Sequence, residues 1–268
     1  EQGKKDRICV NIPPRHGKSQ LVSIFFPAWF LGRNPNKKVM MVSHTTDLAV
    51  DFGRKVRNLI ATDAYKDIFP TVSLAVDSKS AGRWNTNVGG EYYACGIGSS
   101  IAGRGADLLL VDDPHSEQDV INGNFEIFEK AYDWFTFGAR TRLMPGGRVA
   151  IIQTRWHMDD LTGRVTKDMV QNQGSDQDEV VEFPAILKVE DKKTEKEVEK
   201  PLWPAFFDLP ALHRTKASMP VFQWNAQYQQ QPTAEEASII KREWWQMWKQ
   251  EQPPVCDYII MSLDAAAE

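Results

Sequence analysis

The chain has 268 residues, of which 42% are hydrophobic and 25% charged. This length favours one α/β core with a smaller appendage, and the composition excludes collagen-like, coiled-coil and wholly disordered chains. The formal net charge of −4 excludes a uniformly basic protein that coats nucleic acid by bulk attraction, so nucleic-acid binding would need a local patch.

Short apolar runs alternate with amphipathic stretches up to about residue 178, which is typical of an α/β domain with a parallel sheet. We predict central strands, buried on both faces, at residues 8–12, 39–43, 108–111 and 149–152. Apolar residues spaced by three and four after Thr46 and Asp47 predict an amphipathic helix. A second helix is predicted over residues 125–143, ended by the Pro-Gly-Gly that begins at Pro145.

The composition changes after residue 174. Residues 188–200 are mostly charged with mixed sign, which favours a solvated hairpin or loop. The following region is rich in aromatic residues, and these indicate a small satellite core, with cofactor stacking as the alternative: Trp203, Phe206, Phe207, Phe222, Trp224, Trp244, Trp245 and Trp248. Residues 258–263 are predicted to form a further strand.

A phosphate-binding loop is predicted after the first strand. The sequence IPPRHGKSQL places Gly17, Lys18 and Ser19 between an apolar strand and a helical stretch, which is the context that a P-loop requires. Backbone N–H groups would face the phosphates, Lys18 would reach the β and γ phosphates, and the Ser19 hydroxyl would bind Mg²⁺. Ile12 replaces the usual first glycine of the motif. An ordinary surface turn is the alternative.

Two adjacent carboxylates, Asp112 and Asp113, follow an apolar run and are predicted to end a buried strand. Because successive residues of a strand point to opposite sides, the two acids can have different roles. We expect Asp112 to hold Mg²⁺ and Asp113 to orient and deprotonate the attacking water, as in a Walker B motif. Glutamate is more usual at the second position, so either the backbone compensates or turnover is slow. The alternative is a turn or a helix cap.

The run VAIIQTRWH predicts a third strand end. Gln153 and Thr154 would lie where polar groups can contact both the γ phosphate and a moving element. A plain polar strand terminus is an equal alternative.

Together these motifs resemble the large terminase subunit of tailed bacteriophages. The resemblance rests on IPPRHGKS, SIAGRGADLLLVDDPH, IIQTRWH and FQWNAQYQQQP, in that order and spacing. It implies an α/β P-loop ATPase of the ASCE type, with a mostly parallel sheet sandwiched by helices and a small lid subdomain. Such a protein uses ATP and Mg²⁺ to move viral double-stranded DNA into a procapsid.

The resemblance also assigns roles to residues. It implies Walker B roles for Asp112 and Asp113, and a coupling role for Gln153 and Thr154. It implies that ATP is bound by Pro14, Arg15, His16, Gly17, Lys18, Ser19 and Gln20.

Arg104 stands between two glycines, eight residues before Asp112. We predict that this accessible arginine reaches the γ phosphate of a neighbouring subunit as a catalytic arginine finger. Arg140, Arg142 and Arg155 are rival candidates, and a surface salt bridge is the alternative role for Arg104.

The resemblance divides the chain into an ATPase core (residues 1–178), a lid subdomain (179–252), and a linker with the first strand of an RNase H-like nuclease domain (253–268). Asp264 would be the first metal-binding acid of that nuclease. Because a two-metal site needs several carboxylates, we expect no cleavage by residues 1–268 alone.

The implied partners are double-stranded DNA, further copies of the chain in a ring expected to have five subunits, the portal protein and the small terminase subunit. No membrane partner is expected, since no apolar run reaches the roughly 20 residues of a membrane helix. Three dispersed cysteines without Cys-x-x-Cys spacing fit a reducing interior. The implied location is the host cytoplasm, at the procapsid portal.

Two other functions remain open from the residues alone. The Asp-Asp-Pro-His run ending at His115 resembles the DExH box of superfamily 2 helicases, but no second RecA-like domain follows residue 180. A nucleotide-binding scaffold without productive hydrolysis is the other alternative, because Asp113 replaces the usual glutamate.

Overall fold

The structure is a computed structural model that describes residues 6–77, 80–121, 125–172, 174, 177–191 and 196–233. Asp264, the predicted strand at 258–263 and the carboxyl-terminal part of the predicted lid lie outside the described residues. No helix in the described part of the chain combines the length and the apolar character that crossing a bilayer demands.

A seven-stranded sheet forms the centre of the fold. Its strands are β1 (Arg7–Asn11), β2 (Lys38–Ser43), β3 (Arg83–Asn85), β4 (Glu91–Gly96), β5 (Ala106–Asp112), β6 (Leu143–Gln153) and β7 (Glu179–Glu182). The strand order is β3-β4-β2-β5-β6-β1-β7, and β3 is antiparallel to its neighbour while the other pairs are parallel. The four predicted central strands are confirmed as β1, β2, β5 and β6.

Helices cover both faces of this sheet, as the predicted fold class requires. One face packs against residues Ser19–Phe25, α1 (Phe26–Arg33), α2 (Thr46–Ile60) and α3 (Asp63–Ile68). The other face packs against residues Trp134–Ala139 and α6 (Leu161–Gln171). Two further helices, α4 (Glu117–Ile121) and α5 (Glu126–Asp133), follow β5.

The predicted helix after Thr46 is confirmed as α2, and Thr45 caps it by accepting a hydrogen bond from the Leu48 backbone N–H at 3.3 Å. The predicted helix over residues 125–143 ends at Arg142, and its last turns are π-type and 3₁₀. Its predicted stop signal was wrong, because the Pro-Gly-Gly segment lies inside β6. There the register with β5 shifts, and Gly146 adopts a φ of 74° that suits such an irregularity.

Residue 179, the predicted first residue of the lid subdomain, is instead the first residue of a strand in the large sheet. β7 pairs in parallel with β1 at the sheet edge, so the first four residues assigned to the lid belong to the core sheet. The pairing has a physical reason. β6 binds the backbone of β1 along one edge, and β7 satisfies the backbone hydrogen-bonding groups along the other edge.

The second group of elements consists of β8 (Ile186–Asp191), β9 (Lys196–Pro201), α7 (Leu209–Ala217) and α8 (Val221–Gln227). The charged segment forms the predicted antiparallel hairpin of β8 and β9. A small core of Ala185, Ile186, Leu212 and Trp224, with Phe207 packed against it, confirms a satellite core for two of the predicted aromatic residues. Trp203 and Phe206 are exposed, and Trp244, Trp245 and Trp248 lie outside the described residues. Trp224 is 1% exposed and stacks on Tyr228 at 4.7 Å between ring centres.

Candidate functional site

The loop between β1 and the following helix has the backbone conformation of a tight anion-binding turn. Arg15 and Gly17 adopt φ values of 62° and 80°. Gly17 reaches this left-handed region without steric cost, whereas Arg15 is a strained exception. The Leu21 N–H donates to the Gly17 carbonyl at 3.1 Å, so a helix begins directly after the loop. Its first backbone N–H groups are therefore free to face an anion.

Lys18 and Asp113, distant in sequence, meet at the carboxyl edge of the sheet. The Lys18 Nζ atom lies 2.7 Å from Asp113 Oδ2. The other carboxylate oxygen, Oδ1, accepts a hydrogen bond from the Thr154 backbone N–H at 3.0 Å. The structure thus brings together three of the strand ends from which site residues were predicted.

Asp112 points to the opposite side, toward the helix that follows the phosphate loop. The Ser23 hydroxyl donates to Asp112 Oδ2 at 2.6 Å, and Ser19 also hydrogen-bonds to this carboxylate. Burial raises the pKa of Asp112 to about 6, helped by the neighbouring charge of Asp113, while the Ser23 hydrogen bond and Lys18 oppose the rise.

The surroundings of Asp112 fit Mg²⁺. Asp112 is 1% exposed, and its Oδ1 has no hydrogen-bond partner among the described residues. A buried carboxylate oxygen without a donor is costly unless a cation or water satisfies it. Mg²⁺ next to a nucleotide uses few protein ligands, and here Asp112 and the Ser19 hydroxyl would supply them. The described residues contain no cluster of three or more His, Cys, Asp or Glu side chains that would indicate an all-protein metal cage.

Thr154 connects the phosphate loop to Asp113. Its N–H binds Asp113, and its hydroxyl donates to the Ile12 carbonyl at 3.1 Å. Gln153 is 1% exposed, and neither atom of its amide has a partner within the described chain. Thr154 therefore lies in the site, and Gln153, the residue before it at the end of β6, holds unsatisfied hydrogen-bonding groups.

His115 belongs to the site but was not predicted as a site residue. Its Nε2 accepts the Leu161 backbone N–H at 2.9 Å, so the proton of the neutral ring is on Nδ1. Burial lowers the pKa of His115 to about 4, which keeps the ring neutral near pH 7. The Nδ1 atom is buried and lacks a partner in the described part of the chain. The sequence signal that contains His115 is the Asp-Asp-Pro-His run, but this run resembled only the DExH box of helicases.

A cavity of about 970 Å³ lies beside these groups, and its lining includes Lys18, His44, Asp113, His115 and Thr154. It is large enough for a small-molecule ligand. Like His115, His44 presents a buried Nδ1 without a partner in the described residues. The lining of the cavity therefore includes the cationic Lys18, the carboxylate of Asp113 and two histidines with unsatisfied Nδ1 atoms.

The family described as the N-terminal part of the terminase large subunit, T4-like virus type, matches residues 9–247. The chain belongs to this family. The resemblance seen in the sequence is confirmed, and the helicase and scaffold alternatives are not favoured. No curated protein matches the terminase chain.

Solved structures of phage terminases share the fold of this terminase chain. One is a mutant of the ATPase domain of the Thermus phage P74-26 large terminase, with 13% identity and a TM-score of 0.56 over 86% of this chain and 90% of that chain. The same domain in another structure gives 14% identity and a TM-score of 0.52 over 87% and 90%. The HK97 bacteriophage large terminase is 14% identical, with a TM-score of 0.48, and only 47% of its chain is covered against 86% of this one. The first two matches confirm the predicted α/β fold class.

Arg104 of the terminase chain lies away from the phosphate loop. Its Nη1 contacts Glu91 Oε1 at 3.2 Å, and its guanidinium lies 4.1 Å from the centre of the Tyr93 ring. Glu91 begins β4, so this contact is at the amino edge of the sheet, opposite the phosphate loop. The structure therefore shows the salt bridge that was the alternative role, and the finger role stays a prediction.

The rival arginines lie elsewhere. Arg155 is buried between two carboxylates, with its Nε 2.9 Å from Asp160 Oδ2 and its Nη1 3.6 Å from Glu182 Oε1. Arg140 and Arg142 form the short 3₁₀ turn before β6. They too lie at the amino edge, because β6 starts opposite the first residue of β5.

Replacing Asp160 by alanine is expected to lower the free energy of unfolding by about 3 kcal/mol, because the buried Arg155 charge loses its closest carboxylate and keeps only the longer 3.6 Å contact with Glu182. The Asp160 carboxylate also accepts backbone N–H groups of Trp156 and Gly163, which hold the start of α6. Urea unfolding followed by circular dichroism measures the change. Asp159→Ala, at a half-exposed neighbour, is the control and should cost less than about 0.5 kcal/mol. Similar losses in the two variants would contradict this role.

The Arg155–Asp160 pair also has a defined pH dependence. Burial alone would raise the pKa of Asp160, but the Arg155 guanidinium holds this pKa below its ordinary value of 3.8. A lowered folded-state pKa means that the pair stabilises the fold above the unfolded pKa and loses this effect as the pH falls through the folded one. The parent should therefore lose more stability in acid than Asp160→Asn.

Proposed function

We propose that this terminase chain binds Mg·ATP at the loop after β1 and hydrolyses it to drive viral double-stranded DNA into a procapsid. The contact that supports this most directly is the 2.7 Å ion pair between Lys18 and Asp113. It places the cation expected to bind phosphate beside the carboxylate expected to activate water. The solved structures with the same fold are ATPase domains of the Thermus phage P74-26 large terminase, which agrees with this proposal.

Binding begins with an exchange of partners at Lys18. The phosphate oxygens of ATP carry more negative charge than one carboxylate, so the Lys18 ammonium moves from Asp113 to the β and γ phosphates. This exchange frees Asp113 Oδ2 only when nucleotide is present. Backbone N–H groups of the loop, which includes Arg15, His16 and Gly17, complete the phosphate cradle.

Hydrolysis follows with Asp113 as the general base. A water oxygen attacks the γ phosphorus and its proton passes to the freed Asp113 carboxylate, while the bond to the bridging oxygen of ADP breaks. Mg²⁺, held by Asp112 and the Ser19 hydroxyl, would neutralise charge on the β and γ phosphates. The neutral His115 ring, which carries its proton on Nδ1, lines the same cavity.

Coupling runs through Thr154. Since its N–H holds Asp113 and its hydroxyl holds the Ile12 carbonyl, a change at either partner reaches the other through one residue. Movement of the β8–α8 elements as a lid, with residues up to 252, would convert hydrolysis into displacement of DNA.

The remaining partners follow from the family. We propose a ring of five subunits on the portal protein, served by the small terminase subunit, in the host cytoplasm. Arg104 of one subunit would complete the ATP site of its neighbour. In a longer protein, Asp264 would contribute to a nuclease site.

Lys18→Ala is expected to weaken Mg·ATP binding on the order of 10- to 100-fold, because a charged hydrogen-bond donor to the phosphates is lost. Isothermal titration calorimetry measures the affinity. Lys37→Ala is a matched control, since Lys37 forms a similar 2.8 Å pair with Asp107 at the amino edge of the sheet. Equal affinities of parent and Lys18→Ala would overturn the proposed ATP site.

A further inference from the structure

Two aromatic side chains between β9 and α7, Trp203 and Phe207, lie against the phosphate loop, and a third, Phe206, contacts both of their rings. The Phe207 ring stacks on the His16 ring, with 5.0 Å between ring centres and 23° between planes. The Trp203 Cζ3 atom lies 3.7 Å from the point where a side chain at Gly17 would begin. The segment that follows the charged hairpin therefore lies next to the turn that precedes Lys18.

Core packing does not explain the positions of two of these rings. Trp203 and Phe206 are 43% and 60% exposed, although they stack on each other at 5.0 Å. In the same group of elements, Trp224 is 1% exposed and fills the satellite core. Phe207 packs against that core as well. Trp203 and Phe206 thus form a stacked pair of rings, 28° apart in plane, that stays partly exposed beside a phosphate site, where burial alone gives no reason for it.

We propose that Trp203 and Phe206 form a stacking surface for the base of the nucleotide whose phosphates bind at Lys18. This inference rests on the proposed ATP site. The occupant follows from covalent geometry, because a base is joined to its phosphates through one ribose and must lie close to the phosphate loop. Every nucleobase has a π face, and aromatic side chains bind such faces without selecting one base.

This surface has a consequence for specificity. The stacking energy depends on the area of the base and not on its hydrogen-bonding edge. Stacking on Trp203 and Phe206 therefore gives similar affinities for ATP and GTP. It also has a consequence for coupling. The rings belong to the elements that follow β9, so a bound base contacts the proposed lid directly while the phosphates contact the core.

The decisive measurement compares a nucleotide with its phosphates alone. Calorimetry gives the dissociation constants of Mg·ATP and Mg·tripolyphosphate for the parent, Trp203→Leu and Phe206→Leu. We expect each substitution to weaken ATP binding on the order of tenfold and to leave tripolyphosphate binding unchanged, because only ATP has a base. Phe137→Leu is the control, since Phe137 is a 75% exposed aromatic on the segment before β6. Thermal unfolding confirms that each variant is folded.

The outcomes separate this surface from the phosphate site. If the parent binds tripolyphosphate and ATP equally well, or if both substitutions leave the ATP affinity unchanged, the stacking surface is wrong and the phosphate site stands. Equal weakening of both ligands would mean that the rings only shape the loop, which also overturns the inference. A parent that binds neither ligand would overturn the ATP site itself and the stacking surface with it.

Discussion

Arg104→Ala is expected to lower kcat for ATP hydrolysis in the assembled ring by about 10³-fold or more while changing Mg·ATP affinity little. An arginine that reaches the γ phosphate from a neighbouring subunit stabilises transition-state charge, an effect of about 10³ to 10⁵ in rate. Binding depends mainly on the loop of the same subunit, so the loss appears in kcat.

The position of Arg104 excludes action within its own subunit. It precedes β5, whose seven residues span about 20 Å before Asp112 is reached. An arginine side chain does not bridge that distance. Glu91 also pairs with Arg83 at 2.8 Å, so it keeps a cationic partner when Arg104 turns toward a neighbour.

Mixed rings provide the test. Arg104→Ala subunits carry an intact Lys18, and Lys18→Ala subunits carry an intact Arg104, so a mixture contains some complete sites at subunit boundaries. Mixing two inactive variants should therefore restore part of the ATPase activity. Glu91→Gln, which removes the salt-bridge partner and keeps the arginine, should retain activity. Full DNA-stimulated activity of Arg104→Ala, or no recovery on mixing, would rule out action between subunits.

Asp113→Asn is expected to lower kcat by about 10²- to 10⁴-fold, because it removes the proposed general base and keeps a side chain of the same size. Asparagine keeps an oxygen that can accept the Thr154 N–H, and it tolerates the left-handed backbone found at this position. Mg·ATP should still bind, since Lys18 no longer has a carboxylate competing for it. This result would separate loss of chemistry from loss of binding.

Steady-state ATPase assays and calorimetry on the same preparations measure the two effects of Asp113→Asn. Asp107→Asn is the matched control, because Asp107 also pairs with a lysine but lies at the amino edge of the sheet. A rate for Asp113→Asn equal to that of the parent would show that another group activates the water.

The central strands could be predicted because β1, β2, β5 and β6 contain runs of apolar residues, a clear pattern in sequence, although Ile8 and Val10 of β1 are only half-buried. β7 left no such signal. Its sequence, Glu-Val-Val-Glu, is a short and half-polar strand, which is typical of a sheet edge. Only its pairing with β1 identifies these residues as a strand. The Pro-Gly-Gly segment was wrongly interpreted as a helix stop because Pro145 and two glycines also suit an irregular strand.

The phosphate loop and the acidic pair could be predicted from local motifs, but their partners could not. The contact of Lys18 with Asp113 depends on the strand order, which places β5, β6 and β1 side by side. Ser23 binds Asp112 only because the helix after the loop packs across β5. His115 was missed since burial and tautomer, which give it a free N–H, are properties of the folded chain.

The φ of 42° at Asp113 accounts for the choice of acid at this position. Aspartate and asparagine enter the left-handed region more readily than longer side chains, because their short polar groups bond locally. A glutamate introduced here would meet a backbone unfavourable to it and would project past the lysine that the aspartate now meets. A glutamate at position 113 would thus need a different conformation of the whole turn after β5. The single substitution Asp113→Glu should therefore yield a slower enzyme.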